Sequence, residues 1–314
     1  MSAVVEPFPL GPALLFCPGD RPDRFAKAAA RADAVILDLE DAVGPAHKQS
    51  ARDAVVDALG TAGSSSAGAA GAGGSAAIDA AAAGATGAGA ALDPARTIVR
   101  VNAPGTEDVA ADVAALAGTE VRWVMLPKAE HSEDVDRLVA DLPAAGVVVL
   151  CETARGVLAA ADLAAHPAVV ALMWGGEDLV ASLGGASSRR PDGGYRDVVR
   201  HARSAVLLAA RAHGRAAVDA IHADLADSAG LRAEAEDAAA SGFTATACIH
   251  PAQVPVIRSA YSPTEEEADW SSRVLAAAAA AGGGVFELDG RMVDEPILRH
   301  ARRLASRSTT EETP

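Results

Sequence analysis

Aromatic side chains are scarce in this 314-residue chain, since Phe, Trp and Tyr together make up only 3% of it. Half of the residues are nevertheless hydrophobic, so Val, Leu, Ile and Ala have to fill the core. A chain of this length can bury a sizeable core, and single α/β barrels of this size are common.

Positive charge is also in short supply. The chain has 27 Lys and Arg against 42 Asp and Glu, which gives a formal net charge of −15. This balance argues against a general nucleic-acid-binding protein, because contacts to phosphates require clustered Lys and Arg. A small anionic ligand remains compatible with the sequence if basic residues converge locally.

Cysteine is rare and its count is odd, with three in the chain. Cys17, Cys151 and Cys248 each lie in or at the end of an apolar run. Three cysteines without a short spacing fit neither a disulfide framework nor a zinc site. We expect buried free thiols in a reducing compartment.

Long hydrophobic runs are absent as well. No apolar stretch is long enough to cross a bilayer. The N-terminal stretch contains Glu6 and three prolines, with no basic region before an apolar segment, which is not the pattern of a signal peptide. The sequence therefore predicts a cytoplasmic protein without a membrane partner.

Short apolar runs alternate with helical segments along the chain. Eight of them have the length and bounding residues of buried parallel strands: 13–17, 34–39, 97–102, 121–127, 147–151, 169–174, 216–221 and 243–249. The segment 156–165 is long enough for the crossover helix between the fifth and sixth strands. Eight strands in strict alternation with helices predict an α/β protein with a (β/α)8, or TIM, barrel.

Composition divides the chain further. Residues 60–92 are almost entirely Ala, Gly, Ser and Thr, and such a tract cannot bury enough side chain to offset its ordering entropy. We predict a barrel domain over residues 1–262 that carries this tract as a flexible insertion. Residues 263–314 are predicted to form a C-terminal helical lid and tail, with a hinge at residues 282–284.

Two acidic residues follow neighbouring predicted strands. Glu152 lies at the end of the fifth strand and Asp178 just beyond the sixth. In parallel α/β folds the carboxyl ends of the strands form the ligand-binding edge. Two carboxylates brought together there repel each other unless a cation lies between them, and hard oxygen ligands suit Mg²⁺. Each residue alone has a structural alternative, with Glu152 capping the next helix and Asp178 in a turn; the pair favours a metal.

Arg100 lies inside the third apolar strand, where burial of its charge requires a carboxylate partner. Glu40 or Asp41 is a candidate partner, and a substrate carboxylate is another. A metal held by two carboxylates beside a guanidinium is a suitable receptor for a 2-oxo acid. Polarising the keto oxygen of such an acid is what aldol-type bond cleavage requires.

A set of motifs occurs in order along nearly the whole chain: FCPGDRPDRFAKA, VILDLEDAV, VRVN, LPKAE, CETARGV, WGGEDLVASLGG, IHPAQV and MVDEP. Together they resemble the citrate lyase β-subunit-like group of the aldolase/citrate lyase superfamily. This group of CoA-ester lyases includes malyl-CoA and citramalyl-CoA lyases. Each motif alone is weak, whereas their ordered set is specific.

The resemblance implies a Mg²⁺-dependent carbon–carbon lyase that cleaves a 3-hydroxyacyl-CoA into an acyl-CoA and a 2-oxo acid. It implies Mg²⁺ binding by Glu152 and Asp178, and binding of the substrate carboxylate by Arg100. Asp294 matches a lid aspartate that completes the site of a neighbouring subunit and exchanges a proton with the thioester enolate. This arrangement implies a homotrimer or a dimer of trimers. We place Glu40 with the catalytic residues, although a supporting role for Asp38, Glu40 and Asp41 around Arg100 or the metal's waters is the alternative.

The same resemblance implies a binding site for substrate and CoA. Its residues would be Phe16, Lys27, His47, Lys48, Arg52, Ile249 and His250, together with Arg100. For Lys27, Lys48 and Arg52 the alternative is a solvated helix face, and for His250 it is a hydrogen bond at the barrel rim. The chain departs from the family at Ala245 and Thr246, where Gly-Lys is usual, and this weakens the CoA assignment more than the metal assignment.

Two other classes of function compete with the lyase. One is a metal-dependent 2-oxo-acid aldolase or an acyl-CoA thioester hydrolase on the same barrel. The other is a degenerate barrel without catalytic activity, against which the joint presence of Arg100, Glu152, Asp178 and Asp294 argues. Lys128 and Asp219 also follow strands, and we leave them outside the catalytic set as residues that pair with other charges of the rim.

Overall fold

Eight short parallel strands close into a barrel in the computed structural model, with each strand hydrogen-bonded to its neighbours in sequence and β1 paired with β8. The structure describes residues 8–60, 91–282 and 284–308. The strands of the barrel are β1 (Ala13–Pro18), β2 (Ala34–Asp38), β3 (Thr97–Arg100), β4 (Trp123–Pro127), β5 (Gly146–Cys151), β6 (Val169–Trp174), β7 (Ala216–Asp219) and β8 (Ala245–Cys248). The predicted TIM barrel is confirmed.

Helices follow the strands in sequence. They are α1 (Pro22–Arg31), α2 (Lys48–Leu59), α3 (Glu107–Leu116), α4 (Ser132–Asp141), α5 (Ala154–Leu158), α6 (Ala160–Ala165), α7 (Gly176–Ser182), α8 (Asp197–Ala212), α9 (Ser228–Ser241) and α10 (Gln253–Tyr261), with short 3₁₀ helices at Pro45–His47 and Pro94–Arg96. The single helix predicted over 156–165 is instead two helices that meet at Ala159, whose φ of −87° and ψ of 0° interrupt the helical backbone.

Alternate residues of each strand point into the barrel and fill it. This interior is built largely from aliphatic side chains and methionines, among them Leu14, Ile36, Ile98, Met125, Leu150, Met173, Val218 and Ala247. Because side chains alternate between faces with a period of two, the residue two positions further along each strand points inward again, one layer nearer the carboxyl end. At β1, β2, β3 and β5 this next layer consists of Phe16, Asp38, Arg100 and Glu152.

The chain divides into two units, Met1–Val254 and Pro255–Pro314. In the second unit α11 (Glu265–Ala281) and α12 (Glu295–Ser308) enclose a small core that includes Val274, Leu298 and Ala301. Between these helices an antiparallel hairpin is formed by β9 (Phe286–Leu288) and β10 (Arg291–Val293). The lid role and the hinge at 282–284 stay predictions.

Most of the Ala/Gly-rich tract, residues 61–90, lies outside the described residues. The described chain on either side of it is joined directly, since the Leu92 amide donates a 2.8 Å hydrogen bond to the Ala58 carbonyl at the end of α2. Leu92 itself is buried. The described residues that flank the tract are therefore held close together.

All three cysteines are free and buried, as predicted. Within residues 8–60, 91–282 and 284–308, no helix combines the length and apolar character needed to span a membrane.

Candidate active site

A cavity of about 430 Å³ opens at the carboxyl ends of the strands. Its lining includes the inward-pointing layer just described, and the side chains that bear on the chemistry are Phe16, Asp38, Arg100, Glu152 and Asp178. The first four are placed there by strand alternation, whereas Asp178 lies in the first turn of α7, directly after β6. Arg100, Glu152 and Asp178, which the sequence predicted as one constellation, are thus brought to one cavity.

Glu152 is a buried carboxylate whose charge the protein does not satisfy. The residue is 2% exposed, and its Oε1 has no hydrogen-bond partner. Burial, followed by the charges of Asp178 and Glu40, raises the pKa of this carboxyl to about 8. The predicted alternative, a capping role, falls to its neighbour, because Thr153 Oγ1 accepts the Gly156 amide at the start of α5. Glu152 is left facing the cavity.

Gly175 makes room for the Glu152 carboxylate. A β-carbon at this position would lie 2.9 Å from Glu152 Oε2 and 3.1 Å from the Glu152 β-carbon. Since real β-carbons do not approach a neighbour that closely, any larger residue at 175 would displace the carboxylate. The glycine that follows β6 therefore fixes where Glu152 lies.

Arg100 is held by a two-pronged ion pair with Asp38. Its Nε and NH2 groups donate to Asp38 Oδ1 and Oδ2 at 2.7 and 2.6 Å, and the two residues are register partners across β2 and β3. Burial lowers the pKa of the guanidinium, but the bonds and charge of Asp38 more than offset this and raise it overall. The guanidinium also lies over the Phe16 ring, 4.9 Å from its centroid. A carboxylate partner was predicted among Glu40 and Asp41, and Glu40 is one, at 3.1 Å from Arg100 NH1; Asp38 is the closer partner and the one with two bonds.

Glu40 is nevertheless part of the same cluster. Its Oε2 lies 3.1 Å from Arg100 NH1, and its Oε1 accepts a 2.6 Å hydrogen bond from Lys128 Nζ. Burial raises the pKa of Glu40, and the charges of Arg100 and Lys128 oppose that rise. Glu40 lies behind Arg100 and Lys128, as expected of a residue that supports the site.

The charges of this rim are unbalanced. Two cations, Arg100 and Lys128, face the five carboxylates Asp38, Glu40, Asp41, Glu152 and Asp178. Within the described residues no three His, Cys, Asp or Glu side chains converge on one point as a complete metal cage. Two carboxylates, one of them buried with an unpartnered oxygen, do fit a hard cation that takes its remaining ligands from water and substrate. Glu152 and Asp178 are the residues that would hold it.

A second cavity, of about 370 Å³, lies beside β1 and α1 and is basic. Four of the predicted substrate and CoA residues line it: Phe16, Lys27, Ile249 and His250. Arg24 and Arg31 line it as well, so three cations of α1 face one space. This local convergence supplies the anion-binding surface that the acidic composition as a whole does not.

Arg52 and Lys48 are not brought to either cavity. The Arg52 guanidinium is buried and pairs with Asp112 at 2.7 Å and Asp108 at 2.5 Å, which ties α2 to α3. Lys48 Nζ donates to the carbonyls of Leu39 and Glu40 and to Asn102 Oδ1. These contacts support the chain after β2, and the binding of CoA by Lys48 and Arg52 stays a prediction. His47 is exposed and lines neither cavity, so its contact with CoA stays a prediction.

Asp294 precedes α12 in the second unit. Its Oδ1 accepts the Ile297 amide at 3.3 Å, as a helix-capping residue does. Its catalytic role stays a prediction. Asp219 is committed to structure, because it accepts from Trp174 Nε1 at 2.6 Å and pairs with Arg203.

Sequence reasoning missed Gly175, and it gave Asp38 only as one of three possible supports of Arg100 and Lys128 only as a residue that pairs with other charges of the rim. A signal for Asp38 was available, because it continues the inward positions Ala34 and Ile36 of β2, whereas Glu40 and Asp41 come after the strand has ended. The sequence carries no comparable signal for Lys128 or Gly175, whose contacts join separate strands.

The fold and site can be set beside known proteins. A family model described as HpcH/HpaI aldolase/citrate lyase matches residues 13–71 and 74–251. A citrate lyase subunit beta-like protein of Mycobacterium tuberculosis is 50% identical over 95% of this chain and 96% of its own length. A (3S)-malyl-CoA thioesterase of Cereibacter sphaeroides is 33% identical over 94% of each chain.

A solved structure shows the same likeness. The crystal structure of the protein CitE from Mycobacterium tuberculosis, in complex with magnesium, acetoacetate and coenzyme A, superposes with a TM-score of 0.80. The two chains are 49% identical, and the match covers 96% of this chain and 99% of that one.

Proposed function

The chain belongs to the HpcH/HpaI aldolase/citrate lyase family, and from this premise we propose that it is a Mg²⁺-dependent carbon–carbon lyase. Its substrate is a 3-hydroxyacyl-CoA of the citramalyl-, malyl- or citryl-CoA type, and its products are an acyl-CoA and a 2-oxo acid. The magnesium and coenzyme A in the related CitE structure support the assignment of both to this chain.

The observation that carries the proposal is the unpartnered Oε1 of Glu152, buried at the mouth of the barrel beside Asp178. A buried carboxylate oxygen without a hydrogen bond is costly, and a cation bound between the two acids would lower that cost. Arg100 lines the same cavity, so a substrate carboxylate can reach both the cation and the guanidinium. These are the two receptors that a 2-oxo acid requires.

The reaction breaks the bond between the hydroxyl-bearing carbon and the carbon next to the thioester. The hydroxyl group loses its proton and becomes the keto group of the oxo acid, while the electron pair of the broken bond passes to the carbon next to the thioester and forms an enolate. That carbon then takes up a proton, which balances the one that the hydroxyl group released. Bound Mg²⁺ supplies a Lewis acid for the oxygen at the reacting carbon. Arg100, fixed by Asp38, orients the substrate carboxylate, and Asp294 is the proposed proton donor.

The basic cavity beside α1 is the proposed binding site for the phosphate groups of CoA. Lys27 and His250 line it, while Phe16 and Ile249 line both this cavity and the metal-binding one. The shared lining residues support a single extended substrate, with its charged CoA part over α1 and its acyl part over β5 and β6. We propose further that the protein works in the cytoplasm, in keeping with three buried cysteines that form no disulfide. We also propose that it is a homotrimer or a dimer of trimers.

The proposal is tested by incubating the protein and Mg²⁺ with malyl-, citramalyl- and citryl-CoA. Released oxo acid and released free thiol are measured separately in the same samples. A lyase produces oxo acid and an intact acyl-CoA thioester, and EDTA should abolish the reaction. No oxo acid from any of the three would contradict the proposal.

Thioester hydrolysis is the second candidate, because the related protein of Cereibacter sphaeroides is a (3S)-malyl-CoA thioesterase. Hydrolysis gives free CoA thiol and a hydroxy acid without any oxo acid. The paired measurement therefore separates the two reactions, and an inactive barrel produces neither product.

A further inference from the structure

Lys128 has a positive φ angle, which is unusual for a residue other than glycine. It directly follows β4, and its φ of 53° lies in the left-handed region, which among the described non-glycine residues it shares with Asp289 alone. Such a conformation is unfavourable for an L-residue and persists only where the surroundings hold it in place. The contacts of the Lys128 ammonium group show what surrounds it.

The Lys128 ammonium group lies among four carboxylates. Its Nζ is 2.6 Å from Glu40 Oε1, 3.5 Å from Asp41 Oδ2, 3.6 Å from Asp178 Oδ1 and 3.9 Å from Glu152 Oε1. It thus stands within 4 Å of both carboxylates that the proposed function assigns to the metal. The Lys128 side chain is 28% exposed, so solvent screens its charge only in part.

The ammonium is too far from Glu152 and Asp178, at 3.9 and 3.6 Å, to form a hydrogen bond with either. Its one short bond is to Glu40, and Glu152 Oε1 keeps no hydrogen-bond partner despite the nearby charge. Lys128 therefore attracts the two metal-binding carboxylates electrostatically without satisfying them. A divalent cation that bound them would meet this fixed positive charge at close range.

We propose that Lys128 is a tethered counter-cation of the metal site. It partly neutralises the carboxylate cluster when no divalent metal is bound, and it opposes metal entry, so that it sets the Mg²⁺ affinity of the site. This inference rests on the assignment of Glu152 and Asp178 as the magnesium site. It adds to that assignment a residue that weakens binding and keeps the metal-free site intact.

The test compares Lys128→Met with wild type by calorimetric titration with MgCl₂ at pH 9, above the pKa of about 8 of Glu152. Methionine keeps an unbranched side chain and removes the charge. Because a unit charge within 4 Å of both ligands is only partly screened, we expect the dissociation constant of Mg²⁺ to fall at least about tenfold. Lys128→Arg, which keeps the charge, should stay near the wild-type value. Arg137→Met, which removes an exposed charge of α4, should also stay there.

Melting temperatures separate this role from a merely structural one. In EDTA, Lys128→Met should melt below wild type, because the carboxylates lose their counter-charge. Saturating MgCl₂ should raise the melting temperature of the variant more than that of wild type and close most of the gap. If Lys128 has only a structural role, the melting temperature of the variant should fall below that of wild type by the same amount in EDTA and in MgCl₂. Lys128→Gln repeats the comparison if Lys128→Met does not fold.

An equal or weaker Mg²⁺ affinity in the charge-removing variants, with wild type binding normally, would overturn the role of Lys128 and leave the proposed function standing. Absence of Mg²⁺ binding by wild type itself would instead overturn the metal site, and the role of Lys128 with it.

Discussion

At the scale of single residues, the metal assignment depends on Glu152 and Asp178. We expect Glu152→Gln and Asp178→Asn each to weaken Mg²⁺ binding at least about a hundredfold, because hard cations require anionic oxygens. Calorimetry measures this directly, with Arg137→Met as a surface control. Unchanged affinity in both variants would exclude these residues as the site.

Glu152→Gln should not destabilise the metal-free protein. The pKa of Glu152 is raised to about 8, so the folded state disfavours its ionised form. This penalty grows as the pH rises from the ordinary pKa of a glutamate towards 8, and it is complete above 8. In EDTA at pH 9, the variant should therefore melt at or above the temperature of wild type.

Gly175 is predicted to control the metal site through space alone. A β-carbon in Gly175→Ala would meet Glu152 Oε2 at 2.9 Å, and the end of the glutamate side chain has to move. We expect Mg²⁺ affinity to fall about tenfold or more, the order of the loss when support around a metal ligand is removed, while the melting temperature changes little. Gly176→Ala is the matched control, since its β-carbon would meet Trp174 at 3.3 Å instead.

Arg100→Lys should be almost as harmful as removal of the side chain. A lysine keeps the charge but cannot bond both oxygens of Asp38, as the guanidinium does at 2.7 and 2.6 Å. A lost charge-assisted hydrogen bond is worth about 1.5–3 kcal/mol, so kcat/KM should fall roughly ten- to hundredfold. Arg137→Lys, at an exposed ion pair, serves as the control, and near wild-type turnover of Arg100→Lys would make Arg100 a structural residue.

The sequence placed Glu152, Asp178 and Arg100 at one mouth because the strand order puts all carboxyl ends of a parallel barrel on one side. It did not decide which of Asp38, Glu40 and Asp41 pairs with Arg100. Three carboxylates within four residues look equivalent in a sequence. In the structure all three lie within 4 Å of the guanidinium, and Asp38, the last residue of β2, is the one that pairs with it through two bonds.

At the scale of the elements, predicted strand positions agree with the barrel to within a few residues, because buried apolar runs specify strands strongly. The predicted helices agree with the structure less well than the predicted strands do. The segment 156–165 has no proline, and its one glycine, Gly156, lies three residues before the break at Ala159, so the sequence does not mark the boundary between α5 and α6. The ion pairs of Arg52 could not be predicted for a similar reason, since its partners Asp108 and Asp112 lie on α3, about sixty residues away.

The tract 61–90 is predicted to be dispensable. The Leu92 amide already bonds to the Ala58 carbonyl, so a short Gly-Ser linker can join the flanking segments. Loop-closure entropy changes by only about 0.6 kcal/mol per doubling of length, and we expect the melting temperature to stay within a few degrees. A large fall, or a change of oligomer size in light scattering, would show that the tract carries structure.

At the scale of the whole molecule, the proposed role of Asp294 predicts catalysis shared between subunits. Asp294→Asn should keep the cap of α12, because asparagine caps helices as well as aspartate does, yet it should lose turnover while binding Mg²⁺ normally. Mixing it with Glu152→Gln under conditions of subunit exchange should restore activity at up to about a quarter of the sites in a closed ring. No recovery, with mixed oligomers confirmed by mass spectrometry, would place the residue in its own subunit's site or outside catalysis.

The three cysteine thiols can serve as natural probes of how often the barrel wall opens. Cys17, Cys151 and Cys248 lie in β1 and β5 and at the end of β8, are at most 3% exposed, and form no disulfide. Burial raises the pKa of Cys17 to about 11 and that of Cys151 to about 12, so neither supplies a reactive thiolate while the wall is closed. The rate at which an alkylating reagent modifies each cysteine, followed by peptide mapping, would therefore measure how often β1, β5 and β8 each open. The measurement requires no introduced label.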